Sequence, residues 1–89
     1  MEKRLGVIAV LVTHKRSVPV INSLLSEYSD IIYARQGLPM HEKEICVISL
    51  IVEGDTDTIG ALTGKIGRCE GVEVKSILTK YKENDNEHA

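Results

Sequence analysis

Eighty-nine residues, 43% of them apolar and with a formal net charge of −2, make one small domain with a single thin core, and are too few for two. Three tyrosines are the only aromatics, so that core is expected to be aliphatic. The charge gives no electrostatic case for nucleic-acid binding, and apolar runs of at most about a dozen residues fall well short of a membrane span.

Taken in chain order, 5-LGVIAVLVT-13 is rich in β-branched residues and reads as a strand. The polar break 14-HKRS-17 follows, with Ser17 placed to cap a helix that carries Pro19 in its first turn. Val18, Ile21, Leu24 and Leu25 then recur at helical spacing, predicting an amphipathic helix that ends near Ser26 or Tyr28. The stretch 30-DIIYARQG-37 reads as a second strand, and Gly37 with Pro39 marks a turn. A third strand, 44-EICVISLIVEG-54, is stopped by Gly54. Asp55 then caps a second helix that is expected to end at Gly71. The fourth strand is 72-VEVKSILTK-80, and the polar tail 81-YKENDNEHA-89 is expected to be frayed or disordered.

The order βαββαβ predicts an α+β, ferredoxin-like sandwich formed by one domain over residues 1–80. Its antiparallel sheet would have the order 4-1-3-2, with both helices on one face. The first and third strands are apolar at nearly every position, as central strands should be, whereas Val72, Val74 and Leu78 alternate with Glu73 and Lys75 as on an edge strand. Leu5, Val7, Ala9 and Leu11 point one way and Ile8, Val10 and Val12 the other. Cys46, Ile48, Leu50 and Val52 likewise oppose Ile45, Val47 and Ile51. Two short helices cover one side only, which leaves an aliphatic face of roughly several hundred Å² on the other. A homo-oligomer, dimer or tetramer, with sheets paired face to face or edge to edge, is therefore expected. The alternative is a monomer whose loops shield that face, and no loop here is long enough.

The runs 28-YSDIIYARQGLP-39 and 47-VISLIVEGDTDTIGALTGKIGRCEGVEVKSILTK-80 resemble the small proteins described as iron-only hydrogenase system regulators, over nearly the whole chain from about Lys3 to Lys80. The resemblance implies a ferredoxin-like domain of the ACT-like group, related in shape to the ligand-binding domain of nickel-responsive repressors. It also implies an oligomer that holds a small effector at or near a subunit interface, and a transcriptional or other regulatory role linked to a hydrogenase system.

Several residues are candidates for function. Gly60, Gly64 and Gly67 line the second helix beside its apolar stripe, at a cost of about 0.8–1 kcal/mol each. They permit close approach of a backbone, a helix or a ligand, and tight packing inside the chain is the favoured reading over an interface. The turn 13-THKRS-17 opens the first helix, where free N–H groups beside His14, Lys15, Arg16 and Ser17 suit an anion or carboxylate. The resemblance points to the same turn as the border of an effector pocket. Arg35 and Gly37, at the end of the second strand, are weaker ligand candidates.

No resident metal is expected. His41 and Cys46 would face opposite sides if both lay in the third strand, although ligands from His14, His41 or Cys46 could be assembled across two chains. No motif specifies a cofactor, and the TGK triplet at 63–65 sits mid-helix, outside any phosphate loop. Neither cysteine has a base at catalytic spacing, and the arginine-bearing loop of acylphosphatases is missing, so no enzymatic activity is expected. Cys46 and Cys69 form no CxxC and read as reduced thiols of a cytoplasmic protein. One domain accounts for the whole chain, so direct DNA contact is not expected and regulation would run through a protein partner or a sensed ligand. The function expected is a non-enzymatic effector-binding module. The alternative is a structural or accessory assembly protein with no small-molecule ligand.

Overall fold

A computed structural model describes residues 3–83. The elements are β1 (Lys3–Val12), α1 (Val18–Glu27), β2 (Ile32–Met40), β3 (Ile45–Gly54), α2 (Thr56–Gly67) and β4 (Val72–Glu83). Single 3-10 turns at Lys15–Ser17 and Ser29–Ile31 bracket α1. The strands form one antiparallel sheet in the order β2-β3-β1-β4, which is the expected ferredoxin-like order read from the opposite edge.

Alternation along the strands divides the sheet into two faces. The inner face presents Ile8, Val10 and Val12 of β1 and Ile48, Leu50 and Val52 of β3, all buried. Ile21 and Leu25 of α1 and Ile59, Leu62 and Ile66 of α2 complete the same aliphatic cluster. The outer face carries no helix. Val7 and Ile51 are 41% and 45% exposed there, and Leu38 and Ile77, on the edge strands, are 57% and 69% exposed.

Asp55 caps α2 as expected: its Oδ1 accepts the Thr58 N–H at 2.7 Å. That bond holds the Asp55 carboxyl below its ordinary pKa of 3.8. Ser17 does not cap α1. Its backbone is already helical and its hydroxyl instead donates to the Glu70 carbonyl at 2.6 Å, across the molecule. The turn placed at Gly37 and Pro39 lies further on. Both residues belong to β2, because an edge strand tolerates a proline that donates no ladder bond, and the reversal occupies residues 41–44. There the Lys43 N–H donates to Met40 and the Glu44 N–H to His41, with Glu44 at φ 55°. Helix α2 ends at Gly67 rather than Gly71, and the fourth strand continues through residues 81–83, three residues into the expected tail. Residues 84–89 lie outside the described residues.

A bulge in β2 decides which face its side chains use. Ile32 pairs with Val52 on the inner face, and Ala34 pairs with Ile51 on the outer one, leaving Tyr33 as the extra residue. Without it Arg35 would point to the open face. With it, Arg35 lies beside α1 and donates from Nη2 to the Asn22 Oδ1 at 2.8 Å.

Candidate effector site

The C-terminal ends of β1 and β2 and the N-terminal ends of β3 and β4 meet at one end of the sheet. The β1–α1 turn crosses this end, and the α2–β4 turn holds it in place. Thr13 donates both its N–H and its hydroxyl to the Gly71 carbonyl, each at 2.8 Å, and Ser17 anchors to Glu70. Arg16 pairs with the Glu70 carboxylate at 3.0 Å, and His14 Nε2 lies 4.0 Å from the same group. The exposed Arg16–Glu70 pair adds little stability. Gly71, at φ +68°, lies so close to the His14 ring that a Cβ there would overlap it.

Of the four turn residues proposed for ligand contact, Arg16 and His14 therefore already face a carboxylate of the same chain, and Ser17 is engaged with Glu70. The amides of Thr13 and Ser17 are used as well, the latter on the His14 carbonyl at 3.0 Å. Lys15 is the cation of the turn that remains directed elsewhere. It lines an apolar cavity of about 200 Å³ walled by Val12, Val18, Pro39, Met40, Ile45 and Cys46, with His41 and Glu44 at the β2–β3 turn. Thr13, His14, Lys15, Arg16 and Glu44 also border an open, polar basin. Lys15 and Glu44 belong to both, so an apolar hollow and a charged rim meet at these two residues.

Arg35 and Gly37 do not join this cavity. Arg35 borders a separate shallow depression with Leu25, Ser26 and Ser29, and a Cβ on Gly37 would meet nothing. His41 and Cys46 do come together, because His41 lies in the turn rather than in β3. Even so, no group of three or more His, Cys, Asp or Glu suited to a metal ion occurs among the described residues. Both cysteines are free, and Cys69 donates weakly to the Lys65 carbonyl at 3.7 Å.

Packing inside the chain accounts for only one of the three helix glycines. A Cβ on Gly67 would come within 3.2 Å of Val74 Cγ1, whereas at Gly60 and Gly64 it would enter open space. The intramolecular reading fails at Gly60 and Gly64 because both are exposed on α2 with no neighbouring atoms to pack against.

Residues 4–76 match the TM1266-like family, provisionally described as iron-only hydrogenase system regulators. The chain belongs to this family. Its fold and sequence are both similar to the uncharacterized protein TM1266 from Thermotoga maritima, at 37% identity and a TM-score of 0.84, covering 88% of this chain and 99% of that one. Two more distant structures share the fold alone. An unknown protein from Galdieria sulphuraria has 10% identity and a TM-score of 0.60, over 89% of this chain and 46% of that one. A formyltetrahydrofolate deformylase from Pseudomonas putida KT2440 has 8% identity and a TM-score of 0.59, over 81% and 28% respectively. No protein of curated function matches. Among the described residues no helix is long and apolar enough to cross a membrane.

Proposed function

We propose that this chain is a non-enzymatic regulatory module of the cytoplasm that works as a homo-oligomer and binds a small effector near a subunit interface. Occupancy would shift its assembly or its contact with a protein partner in a hydrogenase-linked system. The observation that carries the reading is the apolar cavity of about 200 Å³ with Lys15 at its rim. A hollow of that size holds roughly six water-sized groups, enough for a short apolar body but not for a nucleotide. Lys15 offers a compact cation for an acidic end, with His14 and Arg16 beside it across the basin. The family description supports regulation and names no reaction.

A thermal-shift screen over short-chain carboxylates, amino acids, nucleotides and divalent metals tests it. The expected result is saturable stabilisation by a small acid, lost in Lys15→Ala. Stabilisation by none of these would favour a structural or accessory protein without a ligand. The Arg16–Glu70 and His14–Glu70 contacts favour that second reading, since they already engage two of the turn's side chains within the chain.

A further inference from the structure

The open face of the sheet has a pattern of its own. The cross-strand pairs set side chains in rows running from β2 through β3 and β1 to β4. One row is Ala34, Ile51, Val7 and Ile77; the next is Gln36, Ser49, Ala9 and Lys75; the third is Leu38, Val47, Leu11 and Glu73. Met40 and Ile45 begin a fourth. Small or polar residues thus make a trough between two bulky rows, and the face carries Lys75 and Glu73 in successive rows of the same strand.

We propose that this face docks a second copy of this chain, about a two-fold axis that lies across the strands between the Lys75 row and the Glu73 row. Such an axis places each strand antiparallel over its own counterpart and exchanges the two rows. Leu11 of one copy then lies over the partner's Ala9, and Val47 over the partner's Ser49, large on small in both directions. Lys75 lies over the partner's Glu73 and Glu73 over the partner's Lys75, giving two opposite-charge contacts at the rim of the interface. An isologous contact has to be self-complementary in this way.

Three other in-plane axes fail on charge. An axis along the strands would lay Glu73 over the partner's Leu38, burying a carboxylate without a partner. An axis within either row would set Lys75 on Lys75 or Glu73 on Glu73. The area is also adequate. Four strands about 4.8 Å apart and four rows about 6.8 Å apart span roughly 500 Å² in plan, so two copies bury about 1,000 Å² or more, the lower bound of a specific interface.

The docking connects to the cavity, because the fourth row falls under the partner's first. Ile51 of one copy lies over the partner's Ile45, and Ala34 over the partner's Met40; Met40 and Ile45 both line the cavity. A body seated in the cavity would press on residues that also form the interface.

The proposal rests on the homo-oligomeric part of the function proposed above, and charge reversal on the full-length chain separates the two. Sedimentation velocity on the wild type is expected to show a dimer or higher even-numbered oligomer. Lys75→Glu, which sets like charges together twice per interface, should weaken association at least about tenfold. The double variant Glu73→Lys with Lys75→Glu restores the pairing and should return association to within about threefold of wild type. Circular dichroism should show all variants folded, as both positions are exposed. An oligomer indifferent to Lys75→Glu, or not rescued by the double variant, overturns this face and axis while leaving oligomerisation intact. A monomeric wild type overturns both.

Discussion

Lys15 and Gly71 lie at the same end of the sheet, where Thr13 bonds the Gly71 carbonyl, and differ in consequence. The Lys15 side chain is exposed and makes no hydrogen bond or ion pair among the described residues, so Lys15→Ala should leave stability within about 0.5 kcal/mol of wild type while removing ligand-induced stabilisation. Gly71 combines a left-handed φ with close contact to the His14 ring. Gly71→Ala should cost about 1–3 kcal/mol or more in urea denaturation, as backbone strain and overlap add. Of these two, the sequence made Lys15 visible through its place at a strand-to-helix turn. The partners of its neighbours were hidden, since nothing local indicates that Glu70, 54 residues beyond Arg16, will meet it. Asp55 was legible for the opposite reason: a cap is a local interaction, three residues long. Its carboxyl titrates below its ordinary value in the fold, so the charged cap's stabilisation is complete above the unfolded pKa of 3.8 and is lost as pH falls through the lowered folded value. Thermal melts should therefore show Asp55→Asn, an uncharged cap, with a flatter acid limb than wild type.

At the scale of elements, the pattern of alternation sufficed for β1, β3 and β4, and the helical spacing for α1 and α2. What it missed was the bulge at Tyr33, which shifts β2 by one residue and so reassigns Arg35 to the helix side. A slip of this kind leaves no mark in an edge strand that is exposed on both faces. The cavity was missed likewise, because its walls come from β1, α1, β2, β3 and the turn between the last two. Helix α2 offers the clearest test at this scale. With open space around Gly60 and Gly64, Gly60→Ala and Gly64→Ala should each stabilise the fold by about 0.8–1 kcal/mol in chemical denaturation. Destabilisation by either would mean that the stripe lies against a partner. On the other side of α2, Lys65 reaches Glu27 at 3.5 Å and lies 5.1 Å over the Tyr28 ring, tying α2 to the end of α1. Hydrogen bonding to Tyr28, then the charge of Glu27, raise the Lys65 pKa. This tether is present below the unfolded pKa near 10.5 and lost as pH rises through the folded value.

For the whole molecule, the two faces of one sheet divide the work. The inner face supplies the core against both helices, and Leu50, fully buried there, should cost about 2–5 kcal/mol when truncated to alanine. The outer face is largely aliphatic but uncovered, broken by Gln36, Ser49, Lys75 and Glu73, and on the docking proposed above its rows complement a second copy of themselves. The cavity lies where the two meet, at the end of the sheet that Met40 and Ile45 share. On the function proposed above these two features act together, with a small effector held beside a subunit interface. Native mass spectrometry of the purified full-length chain, before and after denaturation, measures both at once. The expected result is an even-numbered oligomer carrying extra mass of a small molecule, released on denaturation or restored by the acid that gives the thermal shift. A bare monomer that neither associates nor takes up that acid would contradict it.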